Sequence, residues 1–356
     1  MPLEIIHQDI TKMKVDAIVN AANTALKGEG TGVDGSIHRA AGPELQQECD
    51  TLGGCPVGFS KITKGYDLPC KYVIHTVGPI WRGGGCGERE ALASCYETAL
   101  RLAKAHHCES VAFPILSAGA YGYPKAEALE VARQSICEFL THDDMLVYIV
   151  VYSRSMVELQ AGLRSGVDGY LRRFYDRGDT AFFFPQAGAN LNVPGDLTRS
   201  LAEANMERCS VPIASPQPDR KKKSRAFALF SPEKGFGKLE ETFSQTVLKL
   251  IDQKGMTDPE CYRKANITKA VFSSLRTNVN YKPSKQTALA LAVALELSLE
   301  ETKDLLGKAG LALSHSHRGD VIVEYFIVQG CYDVFQINEV LFSYDQTLLG
   351  NMSRAN

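Results

Sequence analysis

Residues 20–42 read NAANTALKGEGTGVDGSIHRAAG and follow directly on the apolar run DAIVN. The run has the composition of a strand. The stretch after it crowds glycines, asparagines and an aspartate into a short loop, and Val33 then opens a pattern with helical spacing. Small residues let backbone N–H groups approach a ligand closely, and the N-terminus of the following helix adds partial positive charge. Both features favour phosphate. The stretch VAFPILSAGAYGYP at 111–124 repeats the arrangement. Two such loops at neighbouring strand ends suit a diphosphate, which needs donors on two sides. The start, LEIIHQDIT at 3–11, is another short apolar run closed by an acidic residue. Three strand ends therefore read as one site assembled from distant pieces, at the carboxyl ends of the strands of an α/β sheet.

Strands are expected at LEII, DAIVN, SKIT, KYVIHTVG, SVAFPIL and LVYIVVYS. Helices are expected at Val33–Glu48, Glu88–His106 and Lys125–Leu140, each with apolar residues three and four apart. Several strand runs are nearly all apolar, as strands covered on both faces are. The order implies an αβα sandwich with a mixed sheet, ending near Tyr152 or with the amphipathic stretch at 155–176. Residues 178–225 mix aromatics, turn residues, three closely set prolines and the basic run RKKKSR, and read as an exposed linker.

From Leu239 the pattern becomes helical: 239–255, 258–266, 268–278, 283–297 and 299–310, with Asp258, Thr268 and Ser284 as N-caps and Gly255 and Gly310 as stops. The apolar stretch from 320 to 342 packs back on this bundle. The expected organisation is a first domain at 1–165, a connecting region at 166–225 and a helical domain at 226–356.

Composition sets further bounds. The 356 residues are 44% apolar with a net charge of −2, so no global charge marks a nucleic-acid or membrane binder. Ten cysteines form no CxxC pair. Cys70 and Cys86 flank the strand holding His75, and read as buried apolar cysteines in a reducing compartment rather than metal ligands. The first residues lack a basic leader with an apolar core, and no apolar run approaches the ~20 residues that span a bilayer. The expectation is a cytoplasmic protein without a membrane partner, metal or cofactor.

VDAIVNAAN, GVDGSIHRAAG, YVIHTVGP and FPILSAGAYGYP, in this order, resemble a macrodomain of the MacroD type over about residues 1–155. The resemblance implies the three-layer αβα sandwich and a cleft for ADP-ribose. It also implies hydrolysis of ADP-ribose esters, namely mono-ADP-ribosylated acidic side chains of a protein and O-acetyl-ADP-ribose. By resemblance, Asp9 and Ile10 receive the adenine amino group, Asn23 lies beside the distal ribose, and Asp34 places water at the anomeric carbon. His38, four residues on, shares its helix face and joins Asn23 and Asp34 as a catalytic candidate. Gly32, Val33 and Gly35 belong to the first phosphate loop; Ser117, Ala118, Gly119, Ala120 and Tyr121 form the second and close over the distal ribose. Tyr152 stacks on adenine or belongs to the core.

Each of these has a plainer reading. Asp9 and Asp34 are equally good caps, Asn23 a turn residue, and His38 a structural histidine. A helix N-terminus is expected to lower the pKa of Asp34. The sequence also departs from the family pattern. GEGTGVDG is one residue longer than the usual glycine run, its Glu29 is expected to face solvent, and Ala118 stands where threonine is common. The same fold serves hydrolases and non-catalytic ADP-ribose readers. Asn23, Asp34 and His38 favour the hydrolase.

The C-terminal helices resemble phage-repressor-like helix-turn-helix domains, with a turn near Asn266–Ile267 and Lys269, Ser273 and Arg276 on a recognition helix. Six Lys/Arg and no acid lie between Arg263 and Lys285, so a positive face for DNA is one reading. A protein-interaction or purely structural bundle is the other.

Overall fold

The computed structural model describes residues 3–28, 31–159, 161–175 and 241–350. The stretch read as a linker, and Glu29 with Gly30, lie outside the described residues. All six expected strands form: β1 Leu3–His7, β2 Ala17–Ala21, β3 Ser60–Lys64, β4 Tyr72–Thr76, β5 Ser110–Pro114 and β6 Leu146–Val151. They make one mixed sheet in the order β1-β6-β5-β2-β4-β3, parallel except for β3 against β4. Alternate residues supply two cores. Ile18, Val73, Ala112 and Tyr148 face one side, under α1 (Val33–Ala41) and α2 (Pro43–Thr51). Val19, Ile74, Phe113 and Ile149 face the other, under α3 (Glu88–Ala105) and α4 (Lys125–His142). This is the three-layer sandwich expected.

The first helix differs from its expectation. It breaks at Gly42, which has φ 84°, and restarts at Pro43. Proline suits the first turn of a new helix but cannot continue an old one. The break turns α2 so that Leu45 and Cys49 reach the core beside Ile37.

Helix α5 (Ala161–Tyr175) runs across the boundary expected after residue 165, because Val167 and Leu171 are buried. The C-terminal helices are α6 Phe243–Gln253, α7 Asp258–Lys264, α8 Lys269–Thr277, α9 Lys285–Ala294, α10 Leu299–Lys308, α11 Arg318–Val328 and α12 Val334–Ser343. Thr268 and Ser284 cap as expected, but α7 is capped by Thr257 rather than Asp258. The Thr257 hydroxyl and the Glu260 carboxylate satisfy each other's backbone N–H groups. Gly255 and Gly310 end their helices with φ of 62° and 71°.

These helices share the core of α3 and α4 and pack on the sheet's β1 edge. Asn266, at φ 53° between α7 and α8, does the pairing there. Its Oδ1 accepts from the Leu3 N–H at 2.8 Å and its Nδ2 donates to the Leu3 carbonyl at 2.9 Å. One asparagine side chain thus stands in for the next strand. Arg133 of α4 reaches Asp333 at 2.9 Å, and Tyr170 of α5 donates to Glu324 at 2.9 Å.

Lys269, Ser273 and Arg276 are exposed on α8. The expected positive face is largely neutralised: Arg276 pairs with Asp258, Lys264 with Glu296, Lys285 with Asp320, and Arg263 lies 3.8 Å from Asp144. Among the described residues no helix is long and apolar enough to cross a membrane.

Candidate functional site

Five parallel strands end at one edge of the sheet, so residues far apart in sequence converge there. Asn20 on β2 lies in register with His75 on β4, and neighbouring strands in register point such a pair to the same face. Both are fully buried. Asn20 Nδ2 donates to Asp34 Oδ1 at 2.7 Å and lies 3.1 Å from His75 Nδ1. On its far side His75 Nε2 lies 2.9 Å from Thr63 Oγ1 and 3.6 Å from Cys49 Sγ. His38, one turn after Asp34, has its Nε2 3.6 Å from Asp34 Oδ1. A Cβ at Gly28 would fall 2.1 Å from His38 Cγ, so only glycine lets the loop lie on this ring.

Burial controls the charges. It pushes the Asp34 pKa up; the Asn20 hydrogen bond and His38 oppose it without winning. The lowering expected from the helix N-terminus is therefore overturned, because desolvation of a buried carboxylate outweighs a partial charge. Burial pushes His38 down against the pull of Asp34. His75 falls to about 3, through burial and then His38, and is neutral. Asp34 and His38 form a poised pair, with each group's burial opposing its charge.

His38, Cys49 and His75 bring two imidazoles and a thiol within 4.8 Å of one another. The donors do not favour a metal: both His75 nitrogens have partners, and burial pushes the Cys49 thiol up to about 12. Cys70 is buried as expected, whereas Cys86 is exposed.

The second loop leaves β5 with Ser117 at φ 60°. Tyr123 N–H closes it onto the Ser117 carbonyl at 3.0 Å, and Trp81 N–H donates to the Tyr121 carbonyl at 2.9 Å. Ser117 and Ala118 are buried, while Gly119 and Ala120 are exposed. Burial and then the Asp34 charge push the Tyr121 phenol up. A Cβ at Gly78, just past β4, would lie 2.2 Å from Ser117 Oγ. Gly32, at φ 84°, precedes α1 without a capping side chain, Val33 is half-buried and Gly35 buried.

Asn23 does not join the Asp34 cluster through a hydrogen bond. Its Oδ1 accepts from Ala25 and Lys27 N–H at 3.1 Å, and its Nδ2 donates to the Lys27 carbonyl at 2.7 Å. It closes its own turn, and Asn20 is the asparagine bonded to Asp34. Asp9 caps a single 3-10 turn, accepting from Thr11 N at 3.0 Å and Thr11 Oγ1 at 2.7 Å, and Ile10 is buried. Tyr152 is 83% exposed and therefore not core. Asp9 and Tyr152 follow the paired strands β1 and β6, so both stand at the site's edge of the sheet.

Three buried polar atoms here have no hydrogen-bond partner: Asn20 Oδ1, His38 Nε2 and Ser117 Oγ. Buried polar groups are nearly always satisfied, so three orphans on β2, α1 and the β5 loop are exceptions to that rule. Asn20 and Gly78 carry no role in the sequence reading, and His75 enters it only as a neighbour of Cys70 and Cys86. The usable signal was a polar residue inside a strand otherwise apolar on both faces. Cavities of about 240 and 380 Å³ lie elsewhere, between α4 and the C-terminal helices, and none of their lining residues belongs to this cluster.

The Macro domain model matches residues 19–132. A Macro domain-containing protein of Methanosarcina mazei is 54% identical over 154 residues, spanning 43% of this chain and 82% of that relative. An O-acetyl-ADP-ribose deacetylase of Citrobacter rodentium is 50% identical over 163 residues, spanning 44% of this chain and 92% of that relative. The solved Oceanobacillus iheyensis macrodomain with ADP is 46% identical, over 43% of this chain and 85% of that chain, with a TM-score of 0.42. With the sandwich, the two glycine-containing loops and a relative matched over most of its length, this chain belongs to the macrodomain family.

Proposed function

We propose that the site binds ADP-ribose and hydrolyses its esters, taking O-acetyl-ADP-ribose and mono-ADP-ribose on acidic side chains as substrates. The observation that carries the reading is the set of orphaned buried polar atoms, Asn20 Oδ1, His38 Nε2 and Ser117 Oγ, the first two on side chains beside the Asp34 carboxylate. A relative named for O-acetyl-ADP-ribose deacetylation supports it. The uncapped start of α1 and the loop from Ser117 to Tyr121 supply backbone N–H donors from two sides for the diphosphate. Asp9 and Tyr152 receive adenine at the β1 and β6 ends.

In this reading the distal ribose sits against Asp34, whose raised pKa makes it a better proton acceptor than an ordinary aspartate. For a modified carboxylate, the water oxygen bonds to the anomeric carbon as its proton passes to Asp34. The bond to the ester oxygen breaks and the carboxylate leaves with the electron pair. Tyr121 and His38 frame the water without carrying charge.

Incubation with a protein mono-ADP-ribosylated on Glu or Asp, and separately with O-acetyl-ADP-ribose, tests this beside calorimetric titration of ADP-ribose. Asp34→Ala is expected to keep its Kd for ADP-ribose within about threefold and to lose roughly a hundredfold or more in release rate. Full release by that variant would overturn the mechanism. Binding without release by the unaltered protein would make it a reader.

A further inference from the structure

We infer that His75, which touches no part of the proposed ligand, is the positioning residue that holds Asn20 against Asp34. The inference rests on the reading that Asp34 places the attacking water. Asn20 Nδ2 has two hydrogens and two neighbours, Asp34 Oδ1 at 2.7 Å and His75 Nδ1 at 3.1 Å. An amide nitrogen only donates, so His75 Nδ1 accepts and the ring proton sits on Nε2, 2.9 Å from Thr63 Oγ1. The Thr63 hydroxyl passes its own proton toward the Val73 or Lys64 carbonyl. Every donor in this chain has an acceptor, from the backbone at the β3–β4 edge to the carboxylate.

The opposite Asn20 rotamer would set its Oδ1 against the Asp34 carboxylate, so Asp34 selects the orientation of the amide, and His75 Nδ1 takes its second hydrogen. The register Asn20↔His75 makes that second contact a property of the sheet. A neutral His75 is what the geometry needs, and full burial keeps it so. Of the titratable groups near Asp34, His38 on its own helix lies 3.6 Å away and His75 stands behind Asn20, while burial, and to a lesser extent the Asp34 charge, pushes up Cys49 on α2 and Tyr121 on the β5 loop. Only the His75 contact acts through the amide that bonds the carboxylate.

The test uses His75→Leu, His75→Asn and His75→Gln in the full chain. The carboxyl titration of Asp34 is followed by NMR with labelled aspartate and assigned through Asp34→Asn. With Leu, Asn20 loses its anchor and Asp34 its steady donor. The Asp34 midpoint is then expected to rise by about half to one unit, and kcat for ester hydrolysis to fall roughly five- to twentyfold with KM within about twofold. In His75→Asn the introduced amide oxygen falls near the place of the imidazole Nδ1, so this variant restores both values. His75→Gln carries its amide to the Thr63 end and restores neither. Melting temperature falls in all three and decides nothing; if the Leu variant does not fold, Asn against Gln is the comparison. A wild-type Asp34 titration and kcat in His75→Leu, or equal impairment of the Asn and Gln variants, would overturn the inference. Full activity in Asp34→Ala would defeat the proposed function alone, since the carboxyl titration reports on His75 without any substrate.

Discussion

In the unfolded chain His75 takes up a proton near pH 6.5, and in the folded protein it resists one until about pH 3. Between these values the unfolded state holds the extra proton. The contribution to stability is therefore complete above pH 6.5 and drains as pH falls toward 3, by up to about 1.4 kcal/mol per unit. His75→Asn removes this titration, so thermal melts from pH 6.5 to 4 should show a shallower loss than the unaltered protein. Asp34 runs the other way. Its raised pKa means that the ionised carboxylate costs stability at neutral pH, a cost that vanishes below the ordinary value of 3.8. Asp34→Asn should raise the melting temperature at pH 7 while lowering it or leaving it unchanged near pH 3.5. The two asparagines of NAAN illustrate how far sequence reading reaches at this scale. Asn20 and Asn23 are the same residue type three positions apart, and only register tells them apart. Asn20 is aligned with His75 inside the sheet, whereas Asn23 has left the strand and closes a turn.

Elements place the exit of β4 against the second loop, at Gly78 and Ser117. A methyl group at residue 78 would enter the space of Ser117 Oγ, and that serine sits at φ 60° with little freedom to retreat. Gly78→Ala should weaken ADP-ribose binding by about tenfold or more in calorimetry, with a smaller change in melting temperature. Equal affinity would show that the β4 exit does not shape the second loop. The six strands were legible because their runs are apolar and bounded by turn residues. The loops were legible because small residues precede a helix twice. The break at Gly42–Pro43 was missed although Gly-Pro is a helix boundary signal, because apolar spacing continues across it from Ile37 to Leu45. The α7 cap was placed one residue late because Asp258 and Thr257 are both good caps; the Glu260 partner, three residues after Thr257, decides between them.

At the scale of the whole molecule, the core under α3 and α4 continues into the C-terminal helices, including Phe326, Val334 and Leu341. Calorimetry should show one unfolding transition, reported alike by probes in the sheet and in α6–α12; two separated transitions would contradict a shared core. Asn266→Ala leaves the Leu3 backbone without its donor and acceptor and should cost about 1–3 kcal/mol, read as a lower midpoint in that same transition. Nothing in local pattern could reveal this contact. The six basic residues between Arg263 and Lys285 look like one positive face in sequence, and their acidic partners come from as far away as Asp144 and Asp320.

The Asn266 clip also sets a timetable. The strand β1 leaves a ribosome well before β6 and pairs with it once residue 151 is made, but its outer edge waits for residue 266. At usual synthesis rates that interval lasts on the order of ten seconds. For that time a nascent chain offers an open edge to any other extended segment, so slower translation between β6 and α7 should lower the yield of folded protein.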